Sequence, residues 1–289
     1  MPPSLRISAV VTSYNRPDFL RRVLLCFALQ TRLVDELIIT DDGSSVDVRT
    51  GLADILPELP FKVVFVSQPH QDFRAAKSRN NGIREATGDY LVFADQDIVF
   101  APTYVETFAT HARPGQFLVG YPVRLTAEDT ARITDEMIRS GRITDLVPEA
   151  GHRKVLDQFR KERRYELFHA LHLRPFGPKL RSCVFGAWRA DLLAVNGFDE
   201  QYQGWGFEDD DLGHRLHRAG IIGRNVFREA ITVHMYHAPN HDNGARANAE
   251  YHTRHSREVR AGAVRAEHGV ANPLGGELPV RTILHEPGR

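Results

Sequence analysis

The chain has 289 residues, of which 42% are hydrophobic, as expected of one large α/β domain or two small ones. Its 37 Lys and Arg balance 37 Asp and Glu, so no net charge draws it to nucleic acid. Two cysteines, Cys26 and Cys183, are too few for a disulfide framework and favour a reducing, cytoplasmic compartment. No apolar run reaches membrane-span length, which leaves peripheral membrane contact as the alternative.

The first hundred residues alternate apolar, β-branched runs with stretches of helical spacing. We predict strands at 7–12, 36–40, 61–66 and 90–93. We predict helices from Pro17, over 46–56 and over 75–86, with Gly88 as the C-cap of the last. This alternation indicates an α/β fold with a mostly parallel sheet and helices on both faces.

Polar residues follow three of these strands. They lie at 12–16, 41–44 and 95–97. Ligands of such sheets bind outside the carboxyl ends of the strands. Polar turns explain each cluster alone, but their shared position favours a binding site.

Asp95 and Asp97 close the strand that ends at Phe93. Two carboxylates this close repel each other, and a cation carrying a diphosphate would offset that cost. A solvated turn is the alternative for an isolated D-x-D motif. The pair makes the chain a candidate handler of nucleotide-activated substrates.

The middle of the chain changes character. We predict a helix from Thr126 to Ser140 and a strongly basic helix over 153–172. The basic helix is either a solvated face or a lid that meets a phosphate-bearing acceptor or an anionic membrane. The remaining predicted elements are a strand at 181–186, a short helix at 187–195, a helix around 212–219 and a last strand at 231–234. The tail from 240 is predicted to be partly a polar helix and partly loose.

Four consecutive acids, Glu208, Asp209, Asp210 and Asp211, follow a Gly-Trp-Gly segment that contains Trp205. Acids at a helix N-terminus favour the helix dipole, but four exceed what a cap needs. A flat aromatic ring suits a sugar face, and carboxylates suit hydroxyls as acceptors and general bases. The pattern favours a site that binds and deprotonates a sugar-like alcohol.

His234 and His237 end the predicted last strand. On an extended chain they point to opposite faces, unless a bend turns both inward. One imidazole would complete a metal shell with the D-x-D oxygens, and this favours Mn²⁺ over Mg²⁺. A structural hydrogen bond is the alternative.

Arg74 and Arg79 flank the start of the helix at 75–86. Arginine pairs with phosphate in bidentate fashion, so both are candidates for a diphosphate contact. A surface ion pair is equally compatible with either residue.

These motifs together resemble an inverting glycosyltransferase of family two with the GT-A fold, a Rossmann-like sheet flanked by helices. The matching segments are 10–16, 39–44, 75–83 and 95–97. A later segment, 196–212, resembles the acceptor half of β-galactosyltransferases and chondroitin-type polymerases. One departure is Phe207, which stands where the family usually has glycine before the acids.

The resemblance implies a role for each matching residue. On the donor side, a UDP-sugar would contact Thr12, Tyr14, Arg16, Asp42, Arg74, Asp95 and, more weakly, Arg79. Asp97 would ligate the metal, joined by Asp95 and by His234 or, alternatively, His237. Asp209 would be the general base. Glu208 and Asp210 would bind hydroxyls, and Trp205 would stack on the acceptor.

The resulting hypothesis is a metal-dependent hexosyltransferase that forms a β-linked product on an acceptor hydroxyl. The alternatives are a non-catalytic nucleotide-sugar-binding protein and a sugar nucleotidyltransferase. The latter requires a Gly-rich basic loop after the first strand, which residues 13–17 do not form. We predict a single large domain in four parts: 1–120 binds the nucleotide sugar, 121–180 is a helical insertion or lid, 181–240 binds the acceptor and catalyses, and 241–289 is a tail. The acceptor would be a saccharide, a lipid-linked molecule or a small molecule.

Overall fold

The structure, a computed structural model, describes residues 5–238 and 244–288. Its strands are β1 (Ile7–Ser13), β2 (Glu36–Asp41), β3 (Lys62–Ser67), β4 (Tyr90–Asp95), β5 (Ile98–Phe100), β6 (Gln116–Val119), β7 (Tyr121–Arg124), β8 (Val184–Trp188), β9 (Ile222–Asn225), β10 (Ile231–His234) and β11 (Val280–His285). Its helices are α1 (Pro17–Ala28), α2 (Ala75–Glu85), α3 (Tyr104–His111), α4 (Ala127–Ala131), α5 (Asp135–Arg139), α6 (Glu149–Ala170), α7 (Arg189–Ala194), α8 (Glu208–Arg218) and α9 (Gly244–Ala261).

Eight strands form the main sheet in the order β11-β3-β2-β1-β4-β8-β6-β9. The four neighbouring strands β3, β2, β1 and β4 are parallel to one another. β8 pairs antiparallel with β4, and β11 pairs antiparallel with β3. The predicted mostly parallel α/β fold is therefore confirmed. The four parallel strands β3, β2, β1 and β4 are mainly apolar and buried along nearly their whole length, because both faces of the sheet are covered.

A second, three-stranded sheet has the order β5-β10-β7. Its register pairs His234 with Ile98 and Val233 with Val99. The Met235 amide also donates to the Asp97 carbonyl, 2.8 Å away. This small sheet therefore brings the end of β10 beside the D-x-D motif.

The predicted helix at 46–56 is wrong, because two single 3₁₀ turns, Thr50–Leu52 and Leu56–Glu58, occupy this segment. The Asp47 carboxylate accepts from the Arg49 amide and the Thr50 hydroxyl, and it holds the chain in a local turn. Short acidic side chains that bond nearby backbone compete with helix formation in this way.

Two other helix predictions need correction. The C-cap of α2 is Ala86, which has an extended backbone conformation, and not Gly88 as predicted. Instead, a Cβ on Gly88 would lie 2.7 Å from the Ser8 nitrogen, so glycine allows the close approach. The predicted helix at 126–140 is two helices, α4 and α5, because the hydroxyls of Thr126 and Thr134 each cap a separate start.

The strand at 231–234 is not the last strand, because the tail contains β11 after α9, the predicted polar helix. β11 pairs antiparallel with β3, and the Leu274 amide donates to Glu200. Residues 239–243, where the predicted tail begins, lie outside the described residues. Four short strands, β5, β6, β7 and β9, were not predicted either, since each has only three or four residues.

The basic helix is confirmed as α6, although it begins earlier than predicted. Val155 is buried, whereas Phe168 is exposed, so its apolar face is incomplete. None of the described helices has the length and apolar character required to cross a membrane. The contact of α6 with an acceptor or a membrane stays a prediction, as does the four-part division of the chain.

A buried charge cluster joins α8 to α9. His255 Nε2 lies 3.2 Å from Asp211 Oδ1 and 3.6 Å from Asp199 Oδ2. Arg215, which has no exposed surface, holds Asp211 at 2.8 Å, and Tyr251 donates to Asp199. Three carboxylate and imidazole groups at this spacing resemble a metal site, but here the arginine and tyrosine already compensate the acids.

The charge of His255 makes stability depend on pH. Its hydrogen bond to Asp211 raises its pKa to about 9. A histidine with a raised folded-state pKa stabilises the protein fully below its unfolded pKa of about 6.5, and the contribution disappears as pH rises through the folded value. As the pH rises from about 6 to about 10, the wild type should lose stability that His255→Gln does not lose. We expect this difference in unfolding free energy to be on the order of 2 kcal/mol.

Urea unfolding at the two pH values measures this difference. His152→Gln, at an exposed position on α6, is the matched control and should behave as the wild type. Equal losses in the wild type and His255→Gln would contradict the assignment.

Candidate active site

The carboxyl ends of β1, β2 and β4 bring the three predicted polar clusters together. Thr12 pairs in register with Asp95, and Ser13 pairs with Asp41. The Thr12 hydroxyl donates to Asp95 Oδ1 at 2.7 Å. The Gln96 amide also bonds both the backbone nitrogen and the carbonyl of Tyr14, at 3.0 and 2.8 Å. One continuous polar edge results.

A flat ring pair and a buried carboxylate lie at one end of this edge. The Tyr14 and His70 rings stack with centroids 4.8 Å apart. Asp42 accepts from the Gln68 amide at 2.6 Å and from the Arg74 backbone nitrogen at 2.9 Å. Burial raises the pKa of Asp42, and these hydrogen bonds partly offset the rise. Stacking surface and acceptor oxygens of this kind suit a base and a ribose.

The two arginines have different surroundings. The Arg74 side chain donates to the Gln71 side chain and to the Pro69 carbonyl, and its Nε has no described partner. Arg79 is buried and lies 3.0 Å from Asp95 Oδ1 and 3.3 Å from Glu208 Oε1. Arg79 therefore forms a buried ion-pair bridge and not a surface pair.

Asp97, His234 and His237 form a cluster that has the donor set of a metal site. His237 Nε2 lies 3.0 Å from Asp97 Oδ2, and His234 Nε2 lies 3.7 Å from Asp97 Oδ1. Both imidazoles face the same carboxylate, so the bend predicted as one alternative occurs. The structure brings both candidate histidines to Asp97.

The orientation of both imidazole rings fits metal binding. His234 Nδ1 contacts the Met235 carbonyl at 2.9 Å, and His237 Nδ1 contacts the Ala238 carbonyl at 3.0 Å. Such bonds place the ring proton on Nδ1 and leave Nε2 free to ligate. Asp97 Oδ1 is buried with no hydrogen-bond partner among the described residues. These residues therefore fit a divalent cation, and the imidazole nitrogens among the candidate ligands suit Mn²⁺.

The four acids at the start of α8 have four different surroundings. Glu208 pairs with Arg79, Asp210 accepts from Lys179 Nζ at 2.9 Å, and Asp211 joins the buried cluster with Arg215. Asp209 is half-buried and accepts from the Asp210 amide. Burial and the charges of its acidic neighbours raise its pKa to about 7. A carboxyl with that pKa is matched to proton transfer near neutral pH.

The carboxyl edge of the sheet and the start of α8 lie side by side. Arg79 bonds an acid from each side. Burial raises the pKa of Cys183, and the charges of Asp95, Asp97 and Asp209 raise it further. All three carboxylates therefore lie within electrostatic range of one thiol.

Two aromatic residues, Trp205 and Phe207, directly precede α8. Trp205 is 53% exposed. Phe207 has φ of +75°, in the left-handed region, and its ring stacks on His252 at 4.5 Å. The departure noted in the sequence therefore falls where glycine is favoured and phenylalanine is strained.

Residues 8–182 match the sequence profile of glycosyl transferase family 2. The chain is a member of this family. Residues 162–240 match a second profile, the N-terminal domain of galactosyltransferase. The resemblance predicted from the motifs is confirmed, including its galactosyltransferase-like later segment.

Named relatives are similar over most of this chain. Validoxylamine A glucosyltransferase of Streptomyces hygroscopicus subsp. jinggangensis is 32% identical over 251 residues, which cover 82% of this chain and 57% of that protein. Hyaluronan synthase of Pasteurella multocida is 25% identical over 82% of this chain and 25% of that protein. This family 2 chain therefore spans little more than half the length of the first relative.

Solved structures share the fold. The mannosyltransferase PcManGT of Pyrobaculum calidifontis, in complex with GDP-Man and Mn²⁺, gives a TM-score of 0.56 at 16% identity, over 93% of this chain and 66% of that chain. S. aureus TarS gives 0.59 at 14% identity, over 92% of this chain and 41% of that chain. These likenesses confirm the predicted GT-A fold.

Four residues of this family 2 site were missed in the sequence. They are Gln68, His70, Gln96 and Lys179, which orient Asp42, Tyr14 and Asp210. Gln96 lies between the two D-x-D acids, so its position was the available signal. Gln68 and His70 lie in the loop after β3, and Lys179 lies between α6 and β8, so their contacts depend on tertiary geometry.

Phe207 offers a test of backbone strain beside the acids. Phe207→Ala and Phe207→Gly both remove the stack on His252, but only glycine relieves the left-handed conformation. We expect the glycine variant to be more stable than the alanine variant by about 1 kcal/mol. Urea unfolding of both variants measures the difference.

The control is Ala190→Gly, at an exposed position within α7. Here glycine should destabilise by about 1 kcal/mol, the opposite sign. An alanine variant at 207 as stable as the glycine variant would contradict the strain.

Proposed function

We propose that this chain transfers a sugar from a UDP-sugar to an acceptor hydroxyl with inversion, giving a β-linked product. The observation that carries the proposal is the Arg79 bridge. It holds a carboxylate of the nucleotide-binding edge and a carboxylate of the acid run on one guanidinium. Leaving-group and base functions are thereby adjacent, as a single displacement needs.

The donor half supports a nucleotide sugar. The Tyr14 and His70 pair provides a stacking surface, and Asp42 provides oxygens held by Gln68 and Arg74. We assign base and ribose contacts to Tyr14, Thr12, Asp42 and Asp95. Arg16 and Arg74 supply positive charge for the diphosphate. PcManGT was solved with a nucleotide sugar and Mn²⁺, which supports this class of donor.

We assign the metal to Asp97 and the two histidines, whose ligand atoms lie close together, with Mn²⁺ preferred over Mg²⁺. Asp95 is the further ligand that the family resemblance implies. When bound, the cation would offset the negative charge of the departing diphosphate. Asp97 is the central residue, because both imidazoles face its carboxylate.

The acceptor half supports general-base catalysis. Asp209 would take the proton of the attacking hydroxyl on its carboxylate oxygen, since its pKa of about 7 balances availability and basicity. Glu208 and Asp210 would accept from acceptor or donor hydroxyls. Trp205 is exposed and would stack on a sugar face. A non-catalytic nucleotide-sugar binder, the alternative, has no need of such a base.

The metal assignment predicts that the binding of UDP is coupled to the binding of Mn²⁺. We expect Asp97→Ala to lose the Mn²⁺-dependent part of UDP affinity, by roughly tenfold or more, because the carboxylate is the acid that both imidazoles face. Calorimetric titration of UDP with and without Mn²⁺ measures it. Asp129→Ala, on α4, is the control. An unchanged Mn²⁺ dependence in Asp97→Ala would sink the assignment.

The base assignment predicts loss of turnover with intact binding. Asp209→Asn should reduce transfer by about 100-fold or more while UDP affinity with Mn²⁺ stays near normal. Near-normal turnover of this variant, measured with donor hydrolysis or transfer, would show that Asp209 is not the base. Absence of any hydrolysis or transfer by the wild type with a range of nucleotide sugars would favour the non-catalytic binder.

The same carboxyl sets the pH dependence. The base acts in its deprotonated form, so kcat/KM should fall as pH drops through about 7, the pKa that burial and acidic neighbours give Asp209. A profile flat from about pH 8 to pH 5 would contradict this role.

A further inference from the structure

A cavity of about 220 Å³ opens between α6 and α8, beside the acids. Its walls include Lys161, Tyr165, Arg174, Lys179 and Asp210. Asp210 also belongs to the proposed acceptor site, so the cavity continues that site towards the basic helix.

The cavity holds more positive than negative charge. Arg181 lies 3.3 Å from the buried carboxylate of Glu162, and Lys179 lies 2.9 Å from Asp210. These pairs neutralise the two acids of the lining. Lys161 and Arg174 remain, and neither has a carboxylate within ion-pair distance in residues 5–238 and 244–288.

Both cations lie close to one aromatic ring, that of Tyr165. The Arg174 guanidinium lies 3.6 Å from the centroid of the Tyr165 ring, and Lys161 Nζ lies 5.6 Å from it. The ring face attracts each cation but does not cancel its charge. Two like charges held in a concave site create a local positive potential, which an anion would relieve.

We propose that this cavity binds an oxyanion, a phosphate or a carboxylate, carried by the sugar acceptor. Lys161 and Arg174 would pair with it, and Tyr165 would hold them in place. Lys179 connects the cavity to Asp210 and so to the neighbouring base. The acceptor hydroxyl would reach Asp209 while its anionic group occupies the cavity. This assignment rests on the proposed function and names the acceptor class that it leaves open.

The test compares ligands that differ in one charged group. Glucose, glucuronate and glucose-6-phosphate are titrated by calorimetry into the full chain loaded with UDP and Mn²⁺, at constant ionic strength. We expect glucose-6-phosphate and glucuronate to bind more tightly than glucose. The ratio of the two charged ligands distinguishes a phosphate from a carboxylate site.

Paired variants locate the binding. Lys161→Ala with Arg174→Ala should weaken the charged ligands by roughly tenfold and leave glucose unchanged. Lys154→Ala with Arg164→Ala removes the same charge from exposed positions of α6 outside the cavity, and should change neither. All four side chains are at least partly exposed, so the variants are expected to fold.

Two results would overturn the subsite: equal affinity for glucose and the charged ligands, or equal weakening in both paired variants. UDP affinity is measured in the same series. Normal UDP binding without charge discrimination overturns the subsite and leaves the proposed function standing. Charge discrimination without UDP binding supports the subsite and removes the donor half of the proposed function.

Discussion

The fold depends on one constraint, the crowding of carboxylates at the carboxyl edge of a parallel sheet. Buried acids repel each other and lose solvation, so they need fixed positive partners. Arg79 supplies one, from the first turns of α2, to acids that are more than a hundred residues apart in sequence. Arg215 supplies another to Asp211 one helical turn away. The halves of the site are thus joined by charge compensation as much as by apolar packing.

The start of α8 illustrates how neighbouring residues of the same type acquire different chemistry. Glu208 and Asp211 each face a buried guanidinium, and the charge of Arg215 helps to lower the pKa of Asp211. Asp209 faces two acids and little solvent, which favours the neutral form. A single helical turn therefore contains acids held for structure beside one whose proton is easily exchanged. The helix dipole acts on all four and cannot distinguish them.

Much of this arrangement was predictable from the sequence. The four parallel strands are apolar runs in the sequence, and the polar motifs at their ends predicted a shared site at one edge of the sheet. Prediction failed where a local hydrogen bond overrides periodicity, as at Asp47 and Thr134, and where strands are too short to show a pattern, as in β5 and β9. The partners of Arg79 and the facing of both histidines toward Asp97 follow from tertiary packing, which sequence spacing does not encode.

The small sheet constrains the candidate cation site. His234 belongs to the ladder that pairs β10 with β5, and β5 begins directly after Asp97. The separation of imidazole and carboxylate is therefore fixed by strand register. Because successive side chains of a strand point to opposite faces, a slip of one residue would turn the imidazole away entirely. The site should consequently behave as an all-or-none element: substitutions inside this sheet would leave ligand geometry intact or abolish it, with few graded intermediates.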